Sequence, residues 1–103
     1  MDTMQKKTAK VITQYALEKD PQVRMLDLSS EVGELAKEIL KSTEYGTHSL
    51  KVTASLEEEL GDCLFSLLCL SEALGLDGES ALDKVLEKYR CRFGEQGTID
   101  HYR

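Results

Sequence analysis

A chain of 103 residues with a formal net charge of −6 makes one domain near the lower end of autonomous size. That charge excludes a broad nucleic-acid-binding surface. Leu, Glu, Lys and Ala dominate, Trp is absent and Pro21 is the single proline, which favours helix over sheet. No segment approaches the ~18 apolar residues of a membrane span, and the charged start MDTMQKKTAK lacks the apolar core of a signal peptide. The expectation is a cytoplasmic protein, residues 1–103 as one helical domain, with no membrane or nucleic-acid partner. Cys63, Cys69 and Cys91 are odd in number and form no CxxC pair, so they read as reduced, mostly buried thiols rather than disulfides or zinc ligands.

Residues 1–20 hold a first helix over about 3–19, with Val11, Ile12, Tyr15 and Ala16 at helical spacing. Asp20 is a plausible N-cap and Pro21 a good first residue for a second helix, running to about Thr43. Leu28, Val32, Leu35 and Ile39 form its apolar stripe. Asp27, Glu31, Glu34 and Glu38 repeat that spacing one residue earlier, an acidic stripe about 100° around the axis. Glu44–Val52 reads as a loop. Ser55 with Glu58 is a capping-box signature that would open a third helix. Its leucines 56, 60, 64, 67, 68 and 70 are apolar nearly all round, so it is expected to be the most buried element. It ends near Gly75. A fourth helix follows from about Glu79 to Phe93, and 94–103 is an irregular tail. The predicted fold is an all-α four-helix bundle with two long central antiparallel helices and shorter flanking ones. A bundle this small often completes its apolar burial by oligomerising, as a homodimer or homotetramer.

Two acidic pairs, Glu31/Glu34 and Glu59/Asp62, stand at three-residue spacing on the two long helices, so each pair shares a helix face. Brought together near apolar surface, four carboxylates repel one another and lose hydration. A hard, oxygen-seeking divalent ion such as Mg²⁺ would hold them ionised. The bland alternative is a solvated face, with Lys37 and Lys41 pairing with Glu34 and Glu38. Two features weigh against it. Asp62 opens the apolar run CLFSLLCL, and no Arg or Lys lies between Lys51 and Lys84. Gly33 and Gly61 interrupt strong helices beside the acidic pairs, serving either close packing or ligand access.

The segments EVGELAKE (31–38), EEELGDCLF (57–65) and KVLEKYRCRF (84–93) resemble the MazG family of nucleoside triphosphate pyrophosphohydrolases, over roughly residues 25 to 93. The resemblance implies an all-α enzyme that uses Mg²⁺ to cleave a nucleoside triphosphate between its α and β phosphates. By position it makes Glu31, Glu34, Glu59 and Asp62 the metal ligands. Lys88 and Arg92, with Lys84 a turn earlier, become candidates to bind the polyphosphate. Mn²⁺ is an alternative ion, and removal of non-standard nucleotides a possible role. Phosphoribosyl-ATP pyrophosphohydrolase is similar in fold and acid pattern. A non-catalytic helical module with surface acids is the alternative of a different class. Base preference stays open.

The residues suit that chemistry on their own terms. Phosphoanhydride cleavage needs neutralised phosphates and an activated water, and Glu34 or Glu38 could accept the water's proton. His48 and His101 fall in a loop and a tail, where solvation is the simpler reading.

Overall fold

Every helix of this chain begins on a side-chain oxygen. Thr3 accepts from the Lys6 N–H, Asp20 from Gln22, Thr53 from Leu56 and Asp77 from Glu79, each satisfying a backbone donor the helix itself leaves free. The structure is a computed structural model that describes residues 1–95. Over that range the elements are α1 (Met4–Gln14), α2 (Pro21–Ser42), α3 (Ala54–Ala73), α4 (Gly78–Arg90) and a π-helical turn at Cys91–Glu95. The predicted Asp20–Pro21 start is confirmed. α3 instead starts one residue before Ser55, because the Thr53 hydroxyl reaches the Leu56 N–H at 3.1 Å. The Ser55/Glu58 signature therefore lies inside the helix and does not cap it. Of the predicted tail, Gly94 and Glu95 belong to the π-helical turn, and 96–103 lie outside the described residues.

The helix ends share a motif too. At α3, Leu76 N–H bonds the Ser71 carbonyl and Gly75 N–H the Glu72 carbonyl, the paired bonds of a Schellman stop. Gly75 takes the left-handed conformation this requires, at φ +69°. α1 ends by the same bonds, Leu17 to Ile12 and Ala16 to Thr13, with Ala16 at φ +50°. This stop is why α1 finishes at Gln14, short of the expected Lys19.

α2 and α3 form the central hairpin. Their antiparallel course follows from register: Glu31 meets Glu59 and Asp62, whereas Arg24, seven residues earlier, meets Cys69, seven residues after Asp62. α1 lies against α3 and buries Gln5, Thr8 and Ile12. Ile12 and Cys69 are the fully buried apolar side chains among the described residues.

The hairpin seam overturns two expectations. On α2, Arg24, Leu28, Glu31, Leu35, Glu38 and Ser42 are the more buried positions; they recur every three or four residues and form the face turned to α3. Within the predicted apolar stripe, Val32 and Ile39 are exposed, Val32 at 52%. α3 was expected to be the most buried element, yet it buries Ser66 and Cys69 and exposes Leu60, Leu64, Leu67 and Leu74. The physical reason is that polar and small side chains occupy the seam, so the large leucines point away from it. α4 buries none of its residues and leaves Leu82, Val85, Leu86 and Tyr89 exposed. The radius of gyration is 17.2 Å, against about 13 Å for a compact chain of this length.

Gln5 ties the ends together. Its Nε2 donates to Glu72 Oε1 at 3.1 Å and to the Leu76 carbonyl at 2.7 Å, while its Oε1 accepts from Gly78 N–H at 2.6 Å. It thereby fixes α1 to the α3–α4 turn. Gln5→Ala leaves a buried carbonyl and a helix-start N–H unmet, and is expected to destabilise the chain by about 1–3 kcal/mol. Chemical denaturation of the two proteins reads that difference.

Candidate metal centre

The site lies midway along the hairpin, where α2 presents Glu31 and α3 presents Glu59 and Asp62. One carboxylate oxygen from each lies within 4.8 Å of the other two. Glu31 and Glu59 are partly buried and Asp62 is exposed. The exposure of Asp62 corrects the expectation that it sits among buried leucines, since its neighbours Leu60 and Leu64 are themselves exposed.

The electrostatics follow from this crowding. The Glu59 carboxyl is held above its ordinary value of 4.5, first by loss of hydration and then by Asp62, Glu31, Glu34 and Glu38. Each of those influences raises it, and no basic side chain offsets them. Among the described residues the ion pairs are Lys10–Asp2, Arg24–Asp27, His48–Glu44 and Arg90–Glu87. None engages the five acids, so the Lys37 and Lys41 pairs of the solvated-face alternative do not form. Cys63 sits against the same group. Burial, then Glu31, Glu59 and Asp62, push its thiol up, which keeps it protonated at neutral pH and unsuited to act as a nucleophile.

The sequence candidates divide in space. Glu31, Glu59 and Asp62 converge. Glu34 and Glu38 are near enough to act on Glu59 but do not join the converging set; Glu38 lies on the half-buried side of α2 and Glu34 is exposed. Lys84, Lys88 and Arg92 lie beyond it, on α4 and the π-helical turn. The Lys88 and Arg92 cations stand 5.3 and 5.2 Å from the Tyr89 ring centre, cation–π distances. His48 is an exposed loop residue paired with Glu44; His101 lies outside the described residues. A Cβ added at Gly33 or Gly61 would meet nothing within 4 Å, so neither glycine is needed for close packing within this chain.

Sequence reasoning missed Arg24. It is 7% exposed, with Nη1 3.3 Å from Asp27 Oδ2. The Cys69 thiol is raised by burial, and Arg24, hydrogen-bonded to it, opposes that shift. The available signal was spacing: Arg24 precedes Glu31 by seven residues, two helical turns along the same face.

An all-α hairpin carrying facing acids on its two long helices defines a class of carboxylate-centred hydrolytic sites, and comparison with known proteins gives the family. Residues 19–94 match the model of the MazG nucleotide pyrophosphohydrolase domain. YpjD of Bacillus subtilis is 40% identical over 81 residues, covering 76% of this chain and 71% of that protein. Its crystal structure superposes with a TM-score of 0.71 at 36% identity, over 89% of this chain and 97% of that one. The crystal structure of the Bacillus-conserved MazG protein, a nucleotide pyrophosphohydrolase, matches over the full length of both chains with a TM-score of 0.67 at 32% identity. A nucleoside triphosphate pyrophosphohydrolase of Escherichia coli is 50% identical over 46 residues, 45% of this chain and 18% of that longer protein. The chain belongs to the MazG nucleotide pyrophosphohydrolase family and is an enzyme of that class.

A carboxyl whose pKa is raised on folding opposes folding in its charged form. That penalty is present above the folded-state pKa and is relieved as pH falls through it. Metal-free Glu59→Gln is therefore expected to melt at a higher temperature than the wild type at neutral pH. Its advantage should shrink as pH falls toward the ordinary glutamate value of 4.5. Scanning calorimetry of both proteins across that range tests this.

Proposed function

We propose that the chain hydrolyses nucleoside triphosphates to the monophosphate and pyrophosphate, using Mg²⁺ held by Glu31, Glu59 and Asp62 with Glu34 beside them. The observation carrying this reading is the convergence of three carboxylates from two helices with no basic side chain acting on Glu59. Ligands on opposite sides of a Mg²⁺ ion stand about 4.2 Å apart, so oxygens within 4.8 Å close on such an ion with small adjustments. The all-oxygen donor set suits Mg²⁺, and Mn²⁺ as an alternative.

A bound divalent ion would supply charge neutralisation on the phosphates and a lowered pKa for water. The chain's own residues do the rest. Glu34 or Glu38 takes the proton of the attacking water, as the bridging bond between the α and β phosphates breaks and pyrophosphate leaves. Lys88 and Arg92, with Lys84 a turn earlier, offer donors to the polyphosphate. Clearing non-standard nucleotides is a fitting role for such an activity in the cytoplasm.

Wild type is expected to release monophosphate and pyrophosphate from at least one triphosphate with Mg²⁺, and none with EDTA. Glu59→Gln should lower kcat by more than the 10–100-fold typical of losing an outer supporting residue. Unchanged turnover in that variant refutes the ligand assignment.

The same reading includes a homo-oligomer. The chain exposes 7718 Å², whereas a compact protein of its mass exposes about 5,800 Å². Even half of the roughly 1,900 Å² excess matches the ~800 Å² per partner of a standard interface. Leucines 26, 60, 67 and 74 supply an apolar surface for it, Leu26 at 71% exposure. Light scattering after size exclusion should give a dimer or tetramer, and Leu67→Glu should shift it toward monomer with a lower melting temperature.

A further inference from the structure

Beside the acidic cluster lies a second cavity that the hydrolytic chemistry does not use. It measures about 320 Å³ and is walled by Leu17, Arg24, Asp27, Phe65 and Ser66, sharing Glu31 and Asp62 with the cluster. That volume is at the small end of small-molecule pockets, about 300–1,000 Å³. Its shared wall means that a ligand whose phosphates sit at the carboxylates extends directly into it.

The wall's charge decides which part of a ligand enters. Asp27, Glu31 and Asp62 face a single guanidinium, so the cavity repels phosphate and accepts a neutral group. Its remaining features are an aromatic ring and an aliphatic side chain for stacking, and donors and acceptors for a polar edge. Arg24 offers five N–H donors and no acceptor, and Asp27 only acceptors when ionised. The Arg24 side chain is 8% exposed. Asp27 and Cys69 engage it only in part, and its Nε has no hydrogen-bond partner, although buried donors are nearly always met. An arginine serving only to join α2 to α3 would need neither a cavity beside it nor a half-exposed Asp27 turned to the same space.

We propose that this cavity is the nucleobase subsite, in which Phe65 and Leu17 cover the faces of the base while Arg24 and Asp27 read its hydrogen-bonding edge. The assignment rests on the triphosphate-hydrolase reading above and adds to it the part of the substrate that this chain discriminates. A donor and an acceptor side by side match the paired donor and acceptor that every base presents on one edge, and stacking is tolerant of base identity. Selectivity among bases therefore resides in the Arg24–Asp27 pair and affinity in Phe65.

The test is kcat/KM for a panel of ribo- and deoxynucleoside triphosphates with Mg²⁺, for wild type, Asp27→Asn, Phe65→Leu and Arg24→Lys. Folding of each variant is checked by circular dichroism. A parallel titration measures the affinity of nucleoside monophosphates for the same proteins without turnover. Asp27→Asn and Arg24→Lys are expected to reduce the ratio between the best and the worst base by about tenfold or more, since a site built to hydrogen-bond its ligand discriminates strongly. Phe65→Leu is expected to raise KM for all bases and to weaken monophosphate binding. A uniform loss across bases in the Asp27 and Arg24 variants makes those residues structural and overturns the subsite. So does a change confined to the ribose-to-deoxyribose ratio. Absence of turnover on any triphosphate by wild type refutes the hydrolase reading instead. Monophosphate binding that weakens in the variants would then still support the cavity as a base site, and no binding would overturn it.

Discussion

The arrangement of this molecule depends on the repulsion built into the α2–α3 seam. Antiparallel helices joined by a loop normally close on an apolar stripe. Here the facing positions carry Arg24, Glu31 and Glu38 on one side and Glu59, Cys63 and Ser66 on the other. Three carboxylates brought within 4.8 Å oppose the pairing of the helices that carry them, and the upward shift of Glu59 is the local measure of that opposition. What holds the hairpin against it is Leu28 and Leu35 in the same seam, the Arg24–Cys69 bond, and the clamp of α1 through Gln5. Strain concentrated where chemistry occurs is the usual relation between stability and function.

A seam given over to polar groups forces the apolar side chains elsewhere. Leu60, Leu64 and Leu67 of α3 and Val32 and Ile39 of α2 point outward, and α4 extends with its apolar side chains uncovered. Two buried apolar residues do not make the core of a 100-residue domain, where burial must offset a large conformational entropy. The site and the proposed oligomer thus have one cause: the interior surface used for carboxylates must be regained against another copy.

Helix identity was legible because punctuation is local. Asp20-Pro21 and Asp77-Gly78 each state a helix start, and Gly75 a stop. The Thr53 cap was less legible, since Ser55 with Glu58 made a fuller signature two residues later and only geometry decides which hydroxyl reaches an N–H. The convergence of Glu31 with Glu59 and Asp62 was legible because three-residue spacing on two neighbouring helices leaves few arrangements. The facing of the leucines was not. Periodicity marks an apolar face without saying what that face meets, and the inference that Leu60 and Leu67 fill the chain's own core fails when the intended neighbour is absent from it. Arg24 was illegible for a related reason: a lone arginine in an amphipathic helix reads as surface until its burial is seen.

The charge pattern along α2 gives the substrate a direction. Arg24, Glu31 and Glu38 repeat every seven residues, so one face presents a guanidinium at one end and carboxylates at the middle and far end. The cavity by Arg24 has apolar walls; the cluster by Glu31 has none of the chain's own cations acting on Glu59. A molecule with a flat, weakly polar head and a polyanionic tail can lie along this face in only one sense, the head at Arg24 and the tail toward Glu59. The tail can stay there only with added positive charge. Lys88 and Arg92 are already drawn to the Tyr89 ring, and neither acts on Glu59. At the point of bond cleavage, neutralisation therefore falls to a bound cation rather than to this chain's lysines and arginines. The acidic surface that would repel a nucleotide is thus the feature that makes its hydrolysis depend on metal.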